Sequence, residues 1–276
     1  FADGEDENTL KAAIAFKNSG LGIPILVAKD KVVKQRLKEI GYGENFDIEI
    51  INSTKKKLRE KYSKYLFEKL HRSQGLLKRD CDRLVRNDRV IWGSCMVACS
   101  DADAMVTGNT RRYGQSLQKI TKVVPPRPGE IMFGLNLVVH KGKTIFVADT
   151  SVHEYPTSEQ MSEIAVSAAR VVRLFGFDPK VAFVSHSTFG QPETSRTKHI
   201  KKAVNILKEK KVDFEFDGDM QPDVALNEEY KNLYPFSKIV GNANILIMPG
   251  QHSAAISYKM MKTLGDTKVI GPLLIG

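Results

Sequence analysis

The chain has 276 residues, 42 Lys and Arg against 32 Asp and Glu, a formal charge of +10 and three cysteines. A body of this length buries about three quarters of its unfolded surface without staples. The cysteines are odd in number, lack a Cys-x-x-Cys spacing and follow no signal peptide, which predicts reduced thiols in a cytoplasmic protein. No apolar run reaches the roughly 20 residues of a membrane span. The basic residues alternate with acidic ones along amphipathic stretches such as KKKLREKYSKYLFEKLHR, without an aromatic platform for stacking bases. Neither a membrane nor a nucleic acid is an expected partner.

Apolar strands alternate with amphipathic helices from end to end, which predicts an α/β fold with mainly parallel sheets. Residues 8–17 read as a helix with Leu10, Ala13 and Ile14 on one face, 23–28 as a strand, 31–40 as a helix, 46–51 as a strand and 56–70 as a long helix. Residues 82–99 read as one helix interrupted near Trp92 and Gly93, feeding a short strand at 104–107 and a further helix between Arg112 and Val123. Cys95 and Cys99, four apart, share a helix face and read as small core residues. VVPPRPG then breaks the chain and marks a hinge between two lobes. Beyond it, 131–140 and 144–148 alternate around KGK as a hairpin does. Residues 158–175 form the clearest helix, begun by Pro156, Thr157 and Glu159 and stopped by Gly176. Strands at 181–184 and 245–248 precede helices at 196–208 and 252–264, and the apolar KVIGPLLIG closes the sequence. The opening at Phe1 rather than Met is expected of a piece of a longer protein.

The most informative stretch is VAFVSHSTFG, residues 181–190, where an apolar run breaks into Ser185, His186, Ser187 and Thr188 before a glycine. A buried strand ending in hydroxyls is the carboxyl edge of a parallel sheet, where open α/β folds place ligands and where amides and hydroxyls hold anions without a metal. An ordinary strand-to-helix turn with a capped helix has the same residues, and both readings stay open. Asp149, at the end of another strand, serves either a cleft or a turn. His153, His186 and His252 lack Glu or Cys at ligand spacing, so no metal site is expected. The absence of Gly-x-Gly-x-x-Gly argues against a nicotinamide cofactor in this chain.

FADGEDENTL, DADAMVTG, KTIFVADT, the HSTFG turn, DFEFDGDMQPDVAL and NILIMPGQHSAAISYKMMKTLG occur in one fixed order. Together they resemble the phosphate acetyl/butyryltransferase family over nearly the whole chain. FEKLHRSQGLLKRD, DFEFDGDMQPDVALN and YPFSKIVGNANILIMPGQHSAAISYKM look, more narrowly, like the phosphotransacetylase-like domain at the C-terminus of large bacterial NADP-dependent malic enzymes. The resemblance implies two α/β lobes with mainly parallel sheets flanked by helices, in the phosphotransacetylase-like layering shared with isocitrate and isopropylmalate dehydrogenases. The first lobe is expected at 1–130, with 272–276 returning to it, and the second at 131–271.

The resemblance also implies a site for acetyl-CoA or phosphate in the cleft between the lobes, near Thr110, Arg111, Arg112, Asp149, Ser187, Thr188, Tyr258 and Lys259, with Tyr258 and Lys259 at the start of the last long helix. Acyl transfer needs cations on the phosphate and a donor to the thioester oxyanion. VTGNTRRYGQSLQKITK lacks the family's Ser/Thr-Thr-Ala-Asp element, and Ser116 or Leu117 falls where a phosphate-gripping arginine belongs. Phe189 replaces a lysine common in the catalytic members, and the Pro-Val-Asn-Asp-Leu-Ser-Arg-Gly segment would begin just after Gly276. The implied role is a regulatory domain of a malic enzyme with acetyl-CoA as allosteric effector and no catalytic residue of its own. NADP and a divalent metal then belong to the N-terminal catalytic domains of the parent, and the expected assembly is a homodimer or higher homo-oligomer. The alternatives are a working phosphate acetyltransferase and a purely structural dimerisation module.

Overall fold

The computed structural model describes residues 1–43 and 46–276, apart from the side chain of Lys231. It divides into two compact units, Phe1–Pro125 and Pro126–Gly276, with the boundary inside the proline-rich break.

In the first unit α1 (Glu7–Asn18) starts where the Asp6 carboxylate accepts from Thr9 N, and it buries Leu10, Ala13 and Ile14. β1 (Ile25–Val27) and β2 (Glu49–Ile51) pair in parallel, both shorter than predicted. The backbone of Phe1 runs beside β1, donating to Ile25 O at 2.8 Å and accepting from Val27 N at 3.0 Å. α2 (Asp30–Glu39) packs Val33 and Leu37 on Leu26 and the buried face of α1. α3 (Lys56–Gln74) ends at Gly75, which takes the left-handed conformation that stops helices. The predicted helix at 82–99 is two helices, α4 (Lys78–Asn87) and α5 (Arg89–Ala98). The break falls at Asp88, extended and capping α5 through Val90 N and Ile91 N, rather than near Trp92. Gly93 lies within α5, where a Cβ would meet Met105 Sδ at 2.6 Å, so it marks close packing and no interruption. Trp92 and Tyr62 meet edge to face at 5.0 Å between centroids, inside a cluster with Leu66, Val85, Ile91 and Cys95. Residues 104–107 form no strand; Val106 O only accepts from Ala2 N. α6 (Tyr113–Val123) completes the unit.

The second unit is built on a six-stranded sheet. Its strands are β3 (Phe133–His140), β4 (Lys143–Ala148), β5 (Lys180–Val184), β6 (Glu215–Met220), β7 (Ile245–Ile247) and β8 (Thr267–Ile275), in the order β6-β5-β7-β4-β3-β8. β6, β5, β7 and β4 run parallel, while β3 is antiparallel to both β4 and β8. Residues 272–276 therefore do not return to the first unit. Leu273 pairs with Leu135, Ile275 pairs with Phe133, and Gly276 O accepts from Arg127 N, because the alternating apolar side chains of β8 find their partners on β3.

The period-two pattern loads both faces of this sheet. Phe133, Leu135, Phe146, Phe183 and Ile247 point to α7 (Ser158–Leu174) and α8 (Ser195–Lys210), whose Ile164, Ala168, Ala203 and Leu207 close one core. Val147, Ala182, Val184, Leu246 and Met248 form the other, against α9 (Pro222–Leu226) and α11 (Gln251–Leu264), with the single turn α10 (Glu228–Lys231) between them in sequence. Each fully buried Phe or Leu in these layers contributes about 1.5–3 kcal/mol. No helix is long and apolar enough to cross a membrane among the described residues.

Candidate functional site

The carboxyl edge of the parallel strands is where the sequence places Ser187 and Thr188, and the structure builds a closed polar network there. Ser185 N donates to Met220 O at 2.9 Å, tying the end of β5 to the end of β6. Ser185 Oγ and Ser187 Oγ lie 3.3 Å apart, and Ser187 Oγ donates to Asp219 Oδ2. Ser187 and Asp219 are both fully buried, and Asp219 Oδ1 has no partner. Thr188 Oγ1 accepts from Gln221 N at 3.2 Å, and Gln221 Nε2 donates to His186 O at 2.8 Å. Gly218 permits this approach of β6 to β5. Its φ is +149°, and a Cβ would stand 2.7 Å from both Cβ and O of Phe183. Phe189 N donates to Asp219 O at 2.6 Å, while its ring joins an aromatic cluster, 4.8 Å from Phe236 and 5.6 Å from Tyr234.

Asp149 ends β4, and its carboxylate organises the loop that follows. It accepts from Gly134 N at 2.8 Å, Ser151 N at 2.7 Å and His153 N at 2.7 Å, from Val152 N at 3.1 Å, and pairs with His153 Nδ1 at 2.7 Å. Burial pushes this carboxyl up, but the bonds from His153 and from the backbone of Gly134, Ser151 and His153 outweigh it and hold the group below the ordinary carboxylate range. Of the two roles open to Asp149, the geometry gives the turn. Thr150 Oγ1 donates to Asn136 Oδ1 at 3.0 Å, and the loop docks on the start of α11 through Gln251 N to His153 O. Tyr258 and Lys259 lie two turns into α11 rather than at its start, since that helix begins at Gln251. Tyr258 packs on the Val147 side of the sheet and Lys259 is exposed.

In the first unit, Thr110, Arg111 and Arg112 follow a loop wrapped around Asp3. The Asp3 carboxylate accepts from Thr110 Oγ1 at 2.6 Å, Gly108 N at 2.9 Å, Thr107 Oγ1 at 3.3 Å and Asn109 N at 3.3 Å. Burial raises its pKa, and these donors outweigh burial and lower it. Arg111 Nη1 stands 3.5 Å from Asp88 Oδ2, which Lys119 Nζ also engages. Arg112 is the exposed N-cap residue of α6 with no side-chain capping bond. Ser116 is buried on α6 and its Oγ has no partner.

The sequence profile of phosphate acetyl/butaryl transferases matches residues 1–276. The chain belongs to that family. An NADP-dependent malic enzyme from Rhizobium meliloti (strain 1021) is 41% identical over 277 residues, covering 100% of this chain and 36% of that enzyme. A phosphate acetyltransferase from Clostridium acetobutylicum is 30% identical over 288 residues, covering 100% of this chain and 84% of that protein. Among solved structures, a phosphotransacetylase from Streptococcus pyogenes superposes with a TM-score of 0.86 at 28% identity, covering 100% of this chain and 84% of its own. The chain thus spans 36% of the length of that malic enzyme and 84% of each of these two transacetylases.

Within the second unit the sequence-named residues lie in separate clusters: Ser187 with Thr188 at the β5–β6 edge, Asp149 just after β4, two strands away, and Tyr258 and Lys259 on α11; Thr110 to Arg112 belong to the first unit. Sequence reasoning missed Asp219, the acceptor for Ser187. The available signal was a carboxylate two residues before Gln221 at a strand end, in a segment quoted above but not assigned as a strand.

Proposed function

We propose that this chain is the C-terminal regulatory domain of an NADP-dependent malic enzyme, that it binds acetyl-CoA as effector, and that it does not itself transfer acetyl groups. The observation that carries the reading is the buried, uncharged Ser116 where the family's phosphate-gripping arginine is expected. Acyl transfer to phosphate needs cations aimed at the developing charge. Of the two arginines that precede the family's phosphate-gripping position, Arg111 is tied to Asp88 within the first unit and Arg112 is exposed, while Ser116 at that position is buried and uncharged. Identity of 41% to a malic enzyme across the whole chain supports the parent. Acetyl-CoA then acts through differential affinity for two states of the parent, since an effector shifts an equilibrium in no other way. NADP and a divalent metal belong, in this reading, to the catalytic domains of that parent, a cytoplasmic enzyme.

Pairing into a homodimer or higher homo-oligomer is part of the same proposal. Ile256, Met260 and Leu264 recur every fourth residue along α11 and are 58%, 54% and 81% exposed, an apolar stripe that a second copy would cover. A working phosphate acetyltransferase is the second reading, supported by the Clostridium acetobutylicum enzyme, most of whose length this chain spans.

Calorimetry with acetyl-CoA, together with an assay for acetyl phosphate, tests the proposal on this chain. Saturable heat without acetyl phosphate is the expected result. Robust acetyl phosphate formation overturns the non-catalytic claim, and absent heat overturns acetyl-CoA as ligand. In the full-length parent, malate oxidation indifferent to saturating acetyl-CoA removes the regulatory role.

A further inference from the structure

The stretch from Thr107 to Arg112 carries the three first-unit residues that the sequence names for a ligand, Thr110, Arg111 and Arg112, and it holds no apolar side chain that could anchor it. It forms neither helix nor strand, and Gly108, Asn109, Thr110 and Arg112 are exposed. Such a loop keeps its conformational entropy unless polar bonds fix it.

One carboxylate supplies those bonds. Asp3 is 2% exposed and receives four consecutive residues: Oδ2 accepts from Thr107 Oγ1, Gly108 N and Asn109 N, and Oδ1 accepts from Thr110 Oγ1. Asp6 adds a bond from Asn109 Nδ2. Gly108 winds the chain around the carboxylate at a φ of +113°, where a side chain would strain the turn. Asp3 is itself firmly held. Ala2 N donates to Val106 O at 2.9 Å, and a Cβ on Gly4 would stand 3.0 Å from Leu26 Cβ, so the backbone on either side of it is fixed, by Val106 and by β1. α1 is capped by Asp6 and makes no use of Asp3. Among the described residues the Asp3 side chain hydrogen-bonds to this loop alone, more than a hundred residues on in sequence.

We propose that Asp3 is the positioning residue of this loop, holding residues 107–110 so that Thr110, Arg111 and Arg112 are presented to an anionic effector already ordered. The inference rests on the reading of the chain as an acetyl-CoA-binding domain and adds to it a residue that touches no ligand, since a buried carboxylate has no attraction for an anion. Acting through the loop, Asp3 removes an ordering cost that the ligand would otherwise meet, so its loss weakens binding without deleting a contact.

Calorimetry of acetyl-CoA with the 276-residue chain tests this, under conditions where each variant remains folded by circular dichroism. Asp3→Ala should weaken binding about tenfold or more, and Gly108→Ala, which strains the loop and leaves the carboxylate in place, should weaken it in the same direction. Asp3→Asn should stay within about threefold of wild type, because the amide oxygen keeps the three donors of Oδ2 and the NH2 group donates to the Thr110 hydroxyl. Leu37→Ala, which opens the core of the first unit away from the loop, should lower stability and leave affinity unchanged. Wild-type affinity in Asp3→Ala, a loss in Asp3→Asn equal to that in Asp3→Ala, or a matching loss in Leu37→Ala overturns the proposal. A wild-type chain that takes up no acetyl-CoA removes the effector reading instead, and the amides of Gly108 and Asn109 then decide the role of Asp3. Hydrogen exchange about tenfold faster at both in Asp3→Ala, with α6 unchanged, supports positioning, and equal exchange overturns it.

Discussion

Replacing Asp149 by Asn tests the most heavily used carboxylate in the second unit. Asn has almost the same shape, but it substitutes an amide NH2 for one carboxylate oxygen. Oδ1 serves Gly134 N, Ser151 N and Val152 N, whereas Oδ2 serves His153 N and His153 Nδ1, each at 2.7 Å. With its carbonyl at the Oδ1 position, the variant presents an N–H donor to His153 N and loses that bond, while His153 Nδ1 accepts from the amide in its other tautomer. The lost bond to a charged acceptor is worth about 1.5–3 kcal/mol, and the buried N–H left facing a donor keeps the expectation near 3 kcal/mol. The pH dependence has a definite sign. The folded pKa of Asp149 lies below its unfolded value, so the stabilisation is complete above the ordinary carboxylate range and is lost as pH falls through the folded pKa. The wild-type protein should exceed the variant by about 3 kcal/mol at pH 5–8, and the gap should close below about pH 4. Urea unfolding followed by far-ultraviolet circular dichroism reads the loss. A variant within about 0.5 kcal/mol of wild type at pH 7, or a gap that persists in acid, refutes the reasoning.

Two further outcomes follow from local geometry. Gly218→Ala places a Cβ 2.7 Å from Phe183 Cβ and Phe183 O at a positive φ, so it should cost about 2–4 kcal/mol in chemical denaturation and raise hydrogen exchange at Ser185 and Ser187. Burial pushes the Cys95 thiol up to about 12 and raises Cys81 and Cys99 as well. Alkylation of the native protein at pH 8 should therefore be slow at all three positions, with three thiols modified only after unfolding; rapid native labelling of Cys95, counted by mass spectrometry, would contradict its placement in the Trp92 cluster.

Elements whose signal is local were legible from the residues. α7 has a capping box, in which Thr157 Oγ1 accepts from Gln160 N and the Gln160 side chain accepts from Thr157 N, and its alanines face the sheet as their spacing predicts. The hairpin of β3 and β4 is carried by alternation around one turn. β6 escaped because its sequence, EFDGDM, holds two aspartates and a glycine, and a polar run reads as a loop. Those aspartates are buried only because distant partners receive them: Asp217 accepts from Lys238 N, and Asp219 accepts from Ser187, 32 residues away. The same limit hid the break at Asp88. A capping aspartate inside an otherwise continuous helical pattern looks like surface charge until the following turn is seen to need a cap. In the site, hydroxyls after an apolar run were readable, but which of them remain accessible depends on the acceptor opposite, and that acceptor comes from another strand.

The chemistry of the second unit bears on why binding and catalysis part company in the proposed reading. At the β5–β6 edge the Ser187 hydroxyl, with that of Ser185 beside it, donates to Asp219, a carboxylate with one oxygen unpaired, and the neighbouring Asp217 is also buried. A phosphate dianion brought to that edge would face charge of its own sign in a medium that screens it less than water does. The cation that catalytic members place in this turn is here Phe189, whose ring is packed against Phe236 and Tyr234 and offers no positive charge. A neutral donor, such as the amide of a pantetheine arm, meets no such penalty and could satisfy Asp219 Oδ1 if it reached the oxygen. The hydroxyl edge of the second unit thus opposes an anion, and transfer to phosphate requires cation and oxyanion donors on the same reacting group.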